Sequence, residues 1–338
     1  MTDPTVADLG EHALIARIQS RVPPSPGSVV LGIGDDAAVV EPDRGSLSVL
    51  TTDATVEGVH FDRTFTPMTA VGHKALSASL SDLAAMGAAP RYALVSIALP
   101  DTQLVSDLDA VFDGLLALAA RYRTALVGGN ITRSKAGLFL DVTAVGSVKR
   151  RRILTRAGAR PGDDLYVSGE VGGAAAGLAW LQDAGPDQVP AEAAEACRDR
   201  YLYPEPHVRL GVQLARNRAA RSCIDLSDGL ADGIRQLCRT GGLGARVDAA
   251  HVPIAAGARH QCEARGDDPV VTSLMGGEDY ELLFTASPSA RRRVEAARRL
   301  AGKPTLTRIG QMTKDAALVL VRDSEETEIP AGYEHFRA

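Results

Sequence analysis

Short apolar runs of strand type alternate along the chain with longer alanine-rich runs of helical period. In the first half the strand-type runs are Val29 to Ile33, Leu47 to Thr52, Tyr92 to Leu99, Ala125 to Gly128 and Leu138 to Val148. Helices are predicted over Thr69 to Met86 and Val105 to Tyr122, and the second places Leu108, Val111, Leu115 and Leu118 on one face. The stretch at 150–164, RRRILTRAGARPGDD, is rich in Arg, Gly and Pro and interrupts the pattern, so a domain boundary is expected there. The second half then reads as a strand at Leu165 to Ser168, a glycine-rich turn and a helix at Ala174 to Leu181. A polar connection and two more helices follow. Beyond them come a strand at Cys223 to Leu226, a helix from Leu230, strands at Ala245 to Asp248 and Glu281 to Thr285, a basic helix at Ser289 to Leu300 and two closing strands. The alternation predicts an α/β protein with domains over 1–150 and 151–338.

Composition narrows the function classes. The 338 residues are 45% hydrophobic and 23% charged, enough to bury a sizeable core. No apolar run reaches the roughly 18 to 20 residues of a membrane span. The acidic opening MTDPTVADLGEH lacks the basic start and apolar core of a secretory leader, so none is expected. The net charge is -5 and aromatics make up 4%, which argues against nucleic acid as the main partner and against base-stacking platforms. Cys197, Cys223, Cys238 and Cys262 are too widely spaced for CxxC pairs and read as buried, reduced thiols of a cytoplasmic protein.

The informative residues are acids in apolar surroundings. Asp35 and Asp36 occupy the turn of LGIGDDAAVV, Asp53 ends LSVLTTD, Asp82 interrupts SLSDLAAMG, and Asp225 and Asp228 lie in CIDLSDGL. A dinucleotide fingerprint at Gly32, Gly34 and Ala37 is excluded, because two carboxylates stand where a pyrophosphate needs neutral amides at a helix start. Isolated buried carboxylates are costly, and few basic residues adjoin these segments. A divalent cation with oxygen ligands is the economical partner, and Mg²⁺ bridging to a nucleotide suits that donor set. Asp228 could equally cap the helix that SDGL opens. The turn in LYVSGEVGGAAAGL either cradles a phosphate or only allows close strand–helix packing. His60, taken alone, is more simply a structural residue, and the arginine triplets at 150–152 and 291–293 solvated surface. A P-loop kinase is excluded, since no GxxxxGK[ST] occurs.

Read together, GIGDDAAV, TTD, GVHF, KALSASLSDLAAMGA, VGGN, LTRAGARPGD, IDLSDGL, GGEDYEL and GYEHF, in that order along nearly the whole chain, resemble the thiamine-monophosphate kinases. The resemblance implies phosphoryl transfer from ATP to thiamine monophosphate, giving thiamine diphosphate and ADP. It implies the two-domain α/β fold of aminoimidazole ribonucleotide synthetase, N-terminal domains paired through a dimeric β-barrel-type interface, and several Mg²⁺ ions. By the resemblance, Asp36, Thr51, Thr52, Asp53, Asp82, Asp225 and Asp228 are metal ligands. Gly129, Asn130, Arg156 and Ser227 contact the nucleotide, and His60, Glu278 and Tyr333 the substrate. The family pattern has an aspartate ligand where this chain has Asn130, which keeps a carbonyl oxygen but loses a charge and should hold Mg²⁺ more weakly. Asp35 or Asp141 is the expected compensation. A nucleotide- or thiamine-phosphate-binding protein weakened in catalysis is the alternative.

Overall fold

The computed structural model describes residues 3–182, 185 and 189–332. By internal packing the chain divides into a unit of residues 1–83 and 89–150 and a unit of residues 84–88 and 151–338.

In the first unit α1 (Val6–Leu9), α2 (Glu11–Arg21), β1 (Val29–Leu31) and β2 (Val39–Val40) precede the main sheet. That sheet consists of β3 (Leu47–Val56), β4 (Ala89–Leu99), β5 (Ala125–Arg133) and β6 (Phe139–Val148), in the order β3-β6-β4-β5. Only the β4–β5 pairing is parallel. Two helices, α3 (Met68–Ala85) and α4 (Val105–Tyr122), complete the unit. The α4 stripe is buried as its periodicity demands, at Leu108, Val111, Leu115 and Leu118. Glycines let the two helices meet backbone to backbone. A Cβ at Gly72 would lie 1.8 Å from the Val111 carbonyl oxygen, and one at Gly114 1.9 Å from that of Thr69.

Two strands run further than the sequence pattern predicts. β3 continues through Val56, and β5 continues to Arg133, where the glycines end the apolar signal but the pairing of Gly129 with Val95 and Asn130 with Ser96 carries the strand on. β1, by contrast, stops at Leu31.

The second unit holds β7 (Asp164–Ser168), α5 (Gly173–Leu181), α6 (Ala191–Leu202), α7 (Val208–Arg216), β8 (Ser222–Asp225), α8 (Leu230–Gly241), β9 (Gly244–Asp248), α9 (Ala256–Arg265), α10 (Pro269–Met275), β10 (Leu282–Ala286), α11 (Arg291–Leu300), β11 (Leu306–Thr313), β12 (Leu318–Arg322) and β13 (Glu325–Glu328). Among the described residues its sheet has the order β13-β12-β9-β11-β7-β10-β8. The core lies between this sheet and the helices and includes Leu165, Val167, Ile224, Ile234, Leu283 and Ile309. Three closing strands replace the two expected. Helices α9 and α10 were not expected either, and Asp268 caps the second by accepting from the amides of Val270 and Val271.

Candidate active site

Alternation along β3 sends its functional residues to opposite faces of the sheet. Thr51 and Asp53 turn inward, and Thr52 turns outward. On the inner face Thr51 Oγ1 donates to Asp82 Oδ2 from α3. Asp53 is packed beside the same carboxylate, and its Oδ2 is buried with no hydrogen-bond partner. Burial, aided by the Asp82 and Asp141 carboxylates and opposed by a hydrogen bond from Ser79, pushes its pKa up to about 6. Two acids are thus held together in a largely dry place.

On the outer face Thr52 Oγ1 donates to Asp141 Oδ1 at 2.7 Å and lies 3.2 Å from Thr143 Oγ1. Register places Asp141 opposite Ser96, and Ser96 opposite Asn130, in one row across the sheet. Gly128, Gly129 and Asn130 line a cavity of about 650 Å³ together with Gly34, Asp35 and Asp36. The tight turn there is held by the Asp36 amide, which donates to Asp35 Oδ1 at 2.8 Å, and Gly34 supplies a φ of +124°. The structure therefore joins Asp36 to Asn130 in one cavity and Thr51 to Asp53 and Asp82 in another place.

His60 follows β3. Its Nδ1 accepts from the Val56 amide at 3.1 Å, which leaves the ring proton on Nε2 in the neutral form. The buried Lys74 ammonium donates to the His60 carbonyl at 3.1 Å.

In the second unit two loops are zipped together. The Glu278 amide donates to the Ser227 carbonyl at 2.7 Å, the Tyr280 amide to Leu226 at 3.0 Å, and the Leu226 amide to Glu281 at 2.8 Å. This brings Asp225, Ser227, Asp228 and Glu278 into one neighbourhood. The N-cap position of α8 is Gly229, one residue beyond Asp228. Arg156 Nη1 donates to Gln236 Oε1 on α8, and Gln236 in turn donates to Asp232.

The phosphate-cradle reading of the glycine-rich turn fails for a specific reason. The amides of Gly172 and Ala174, at the start of α5, donate to the two oxygens of Asp279 at 2.6 and 2.9 Å. A carboxylate from the chain itself fills the anion position. Arg291 is likewise more than solvated surface, since it pairs with the buried Asp164 at 3.0 Å. Asp279 and Glu281 carry no role in the sequence reading. Their only signal was acidity, and their partners are distant in sequence: Gly172 and Ala174 lie more than a hundred residues before Asp279, and His207 lies 74 residues before Glu281. Tyr333 lies outside the described residues.

The fit of these residues to Mg²⁺ rests on the Asp53 oxygen. A buried carboxylate oxygen without a donor, beside a second carboxylate and a hydroxyl, is a hard-oxygen donor set of the kind Mg²⁺ takes. Among the described residues no three His, Cys, Asp or Glu side chains form a ready-made cage. That too suits Mg²⁺, which binds through one or two carboxylates and completes its shell with water and phosphate.

Residues 34–148 match the family described as AIR synthase related protein, N-terminal domain, and residues 160–323 match the corresponding C-terminal domain. The thiamine-monophosphate kinase of Escherichia coli K12 is 39% identical over 330 residues, covering 97% of this chain and 98% of that protein. The chain belongs to the thiamine-monophosphate kinase family. Its Bacillus subtilis member is 30% identical over 319 residues, covering 92% of this chain and 94% of that one. The crystal structure of the enzyme from Stenotrophomonas maltophilia superposes with a TM-score of 0.81 at 36% identity, over 94% of this chain and 98% of that one. A complex of AaThiL with AMPPCP and TMP superposes with a TM-score of 0.76 at 30% identity, over 99% and 100%. The hydrogenase maturation protein HypE shares the fold at 19% identity, with a TM-score of 0.75. The two-domain α/β fold of this family is therefore the fold of this chain.

Proposed function

We propose that this chain transfers the γ-phosphate of ATP to thiamine monophosphate, giving thiamine diphosphate and ADP. The observation that carries the reading is the near-complete coverage shared with thiamine-monophosphate kinases, one of which was solved with AMPPCP and TMP. The orphaned oxygen of Asp53 supports it from the chemistry.

A substrate phosphate oxygen attacks the γ-phosphorus in line, and the bond from that phosphorus to the bridging oxygen breaks, releasing ADP. The nucleophile is already an anion, so no strong general base is required. The barrier is charge repulsion between two phosphates. Mg²⁺, when bound, neutralises that charge and orients the oligophosphate. Several ions would be held: by Asp53, Asp82 and Thr51 on the inner face of the sheet, by Asp36, Thr52 and Asn130 elsewhere in the first unit, and by Asp225 and Asp228 in the second. Gly129 and Asn130, on their cavity wall, contact the nucleotide, as do Ser227 and the Arg156 guanidinium, which adds positive charge. His60, through Nε2–H, Glu278 and Tyr333 contact the substrate, and a carboxylate at 278 suits a substrate that carries a cationic ring. Residues 1–150 bind ATP and metal and dimerise, and residues 151–338 carry further nucleotide and substrate contacts. The outer face of the four-stranded sheet, where Leu50 is 69% exposed, supports a barrel-type homodimer interface. The buried, unpaired thiols of all four cysteines support a cytoplasmic enzyme.

Phosphorus NMR of the protein with Mg·ATP and thiamine monophosphate tests the reading. Thiamine diphosphate and ADP are expected to appear together and to be absent when Mg²⁺ is chelated. Saturable binding of both ligands without product would favour the binding protein weakened at Asn130.

A further inference from the structure

The segment from Glu278 to Glu281 has an unusual backbone. Glu278 and Tyr280 both lie at positive φ, +65° and +52°, although neither is glycine. Such conformations cost on the order of 1 kcal/mol or more each and persist only where the surroundings fix them. Two kinds of anchor do so here. The backbone of 278, 280 and 281 is bonded to Leu226 and Ser227. The side chains of 279 and 281 reach the other way, into the interior of the second unit.

Asp279 is 8% exposed, and its two oxygens accept from the amides of Gly172 and Ala174 at 2.6 and 2.9 Å. Glu281 accepts from Ser168 Oγ and pairs with His207 Nε2 at 2.7 Å, and Ser168 Oγ accepts from the Leu282 amide at 2.8 Å. Burial pushes the Asp279 pKa up to about 7 against the pull of the two amides. The chain tolerates that penalty at a position where a neutral cap would satisfy the same helix end. Gly172 is closely packed: its φ is +80° and a Cβ there would lie 2.5 Å from Ser273 Oγ. The start of α5 is therefore a fixed post, and Asp279 is the tie that runs from it to the loop bearing Glu278.

We infer that Asp279 is a positioning residue for the substrate site: by capping α5 at Gly172 and Ala174 it holds the strained loop that sets Glu278 against the Ser227–Asp228 turn. The inference rests on the proposed contact between Glu278 and the substrate.

A double-mutant cycle on the full-length protein tests it, with KM and kcat measured separately for thiamine monophosphate and ATP. Asp279→Asn is expected to raise the KM for thiamine monophosphate about tenfold, with the KM for ATP changed less than about twofold. In a Glu278→Ala background the same substitution should have almost no further effect, because the two act through one contact. Additive effects would overturn the inference, as would a lowered melting temperature with KM unchanged, the signature of a purely structural cap. If Glu278→Ala alone leaves the KM for thiamine monophosphate unchanged, the substrate contact itself is wrong, an outcome distinct from the other two. Asp279→Ser keeps a cap acceptor in a smaller neutral side chain, and the same cycle is read on it should the asparagine variant not fold.

Discussion

Asp53 and Asp164 are both carboxylates on strands, both packed among apolar neighbours, and they have met opposite fates. Asp164 is 1% exposed, yet its oxygens accept from Arg291 Nε at 3.0 Å and Arg308 Nε at 2.6 Å. Burial pushes its pKa up, but the two guanidiniums outweigh that and the net shift is downward. At Asp53 burial acts in the same direction and the neighbour is another acid, Asp82, so the pKa rises to about 6 and one oxygen goes unpartnered. A carboxylate with its cations supplied by the chain is structural. One placed beside a second carboxylate, with no cation from the chain, is a candidate ligand under the proposed reading.

The sharpest break of this comparison is Asp53→Asn. Turnover should fall by about a hundredfold or more if Asp53 holds the metal, as a steady-state assay would show. The metal-free variant should at the same time be more stable than the parent at pH 8, by roughly 3 kcal/mol, from about two pKa units at 1.36 kcal/mol each. The folded pKa lies above the usual 3.8, so the parent loses stability as pH rises from about 4 to about 6. The variant's advantage is complete above that range and vanishes below it. Urea unfolding across pH with EDTA present measures the difference, and Mg²⁺ should shrink it by stabilising the parent alone. A variant less stable than the parent at pH 8 would mean that Asp53 is not an unsatisfied acid.

Asp164→Asn should do the reverse: activity nearly intact, and stability at pH 7 lower by about 1 to 3 kcal/mol. Its folded pKa is depressed, so that stabilisation is present above the unfolded value and is lost as pH falls through the folded one. Parent and variant should converge in acid, which thermal unfolding between pH 3 and pH 7 would reveal.

The smallest effect is expected at Asn130, which lines the cavity with Asp35 and Asp36. Asn130→Asp should lower the Mg²⁺ concentration for half-maximal activity by about three- to tenfold, through one added charge. An unchanged Mg²⁺ titration would show that a neutral carbonyl oxygen suffices there.

Much of this was legible before the fold. The stripe of α4, the alternation of β6 and the break near 150 follow from periodicity and composition, because burial of one face leaves a mark at every turn or every second residue. The isolated acids were legible too, since a carboxylate in an apolar run is costly wherever it lands. Not legible was the continuation of β5 past its glycines, which only pairing with β4 sustains. The capture of the Gly172 and Ala174 amides by Asp279 was hidden for a similar reason. Donor and acceptor are separated by 107 and 105 residues, and nothing local marks them as partners.

The sequence by itself determined the α/β class, the kinase resemblance and the set of acids from which the proposed metal site is drawn, because these depend on residue type, period and order. Only the tertiary structure decided which acids are satisfied and which are not. Asp164 received two arginines from distant segments, Asp279 received a helix end, and Asp53 received another carboxylate. The state of a buried charge is set by what surrounds it in space, and that is fixed only when the chain has folded.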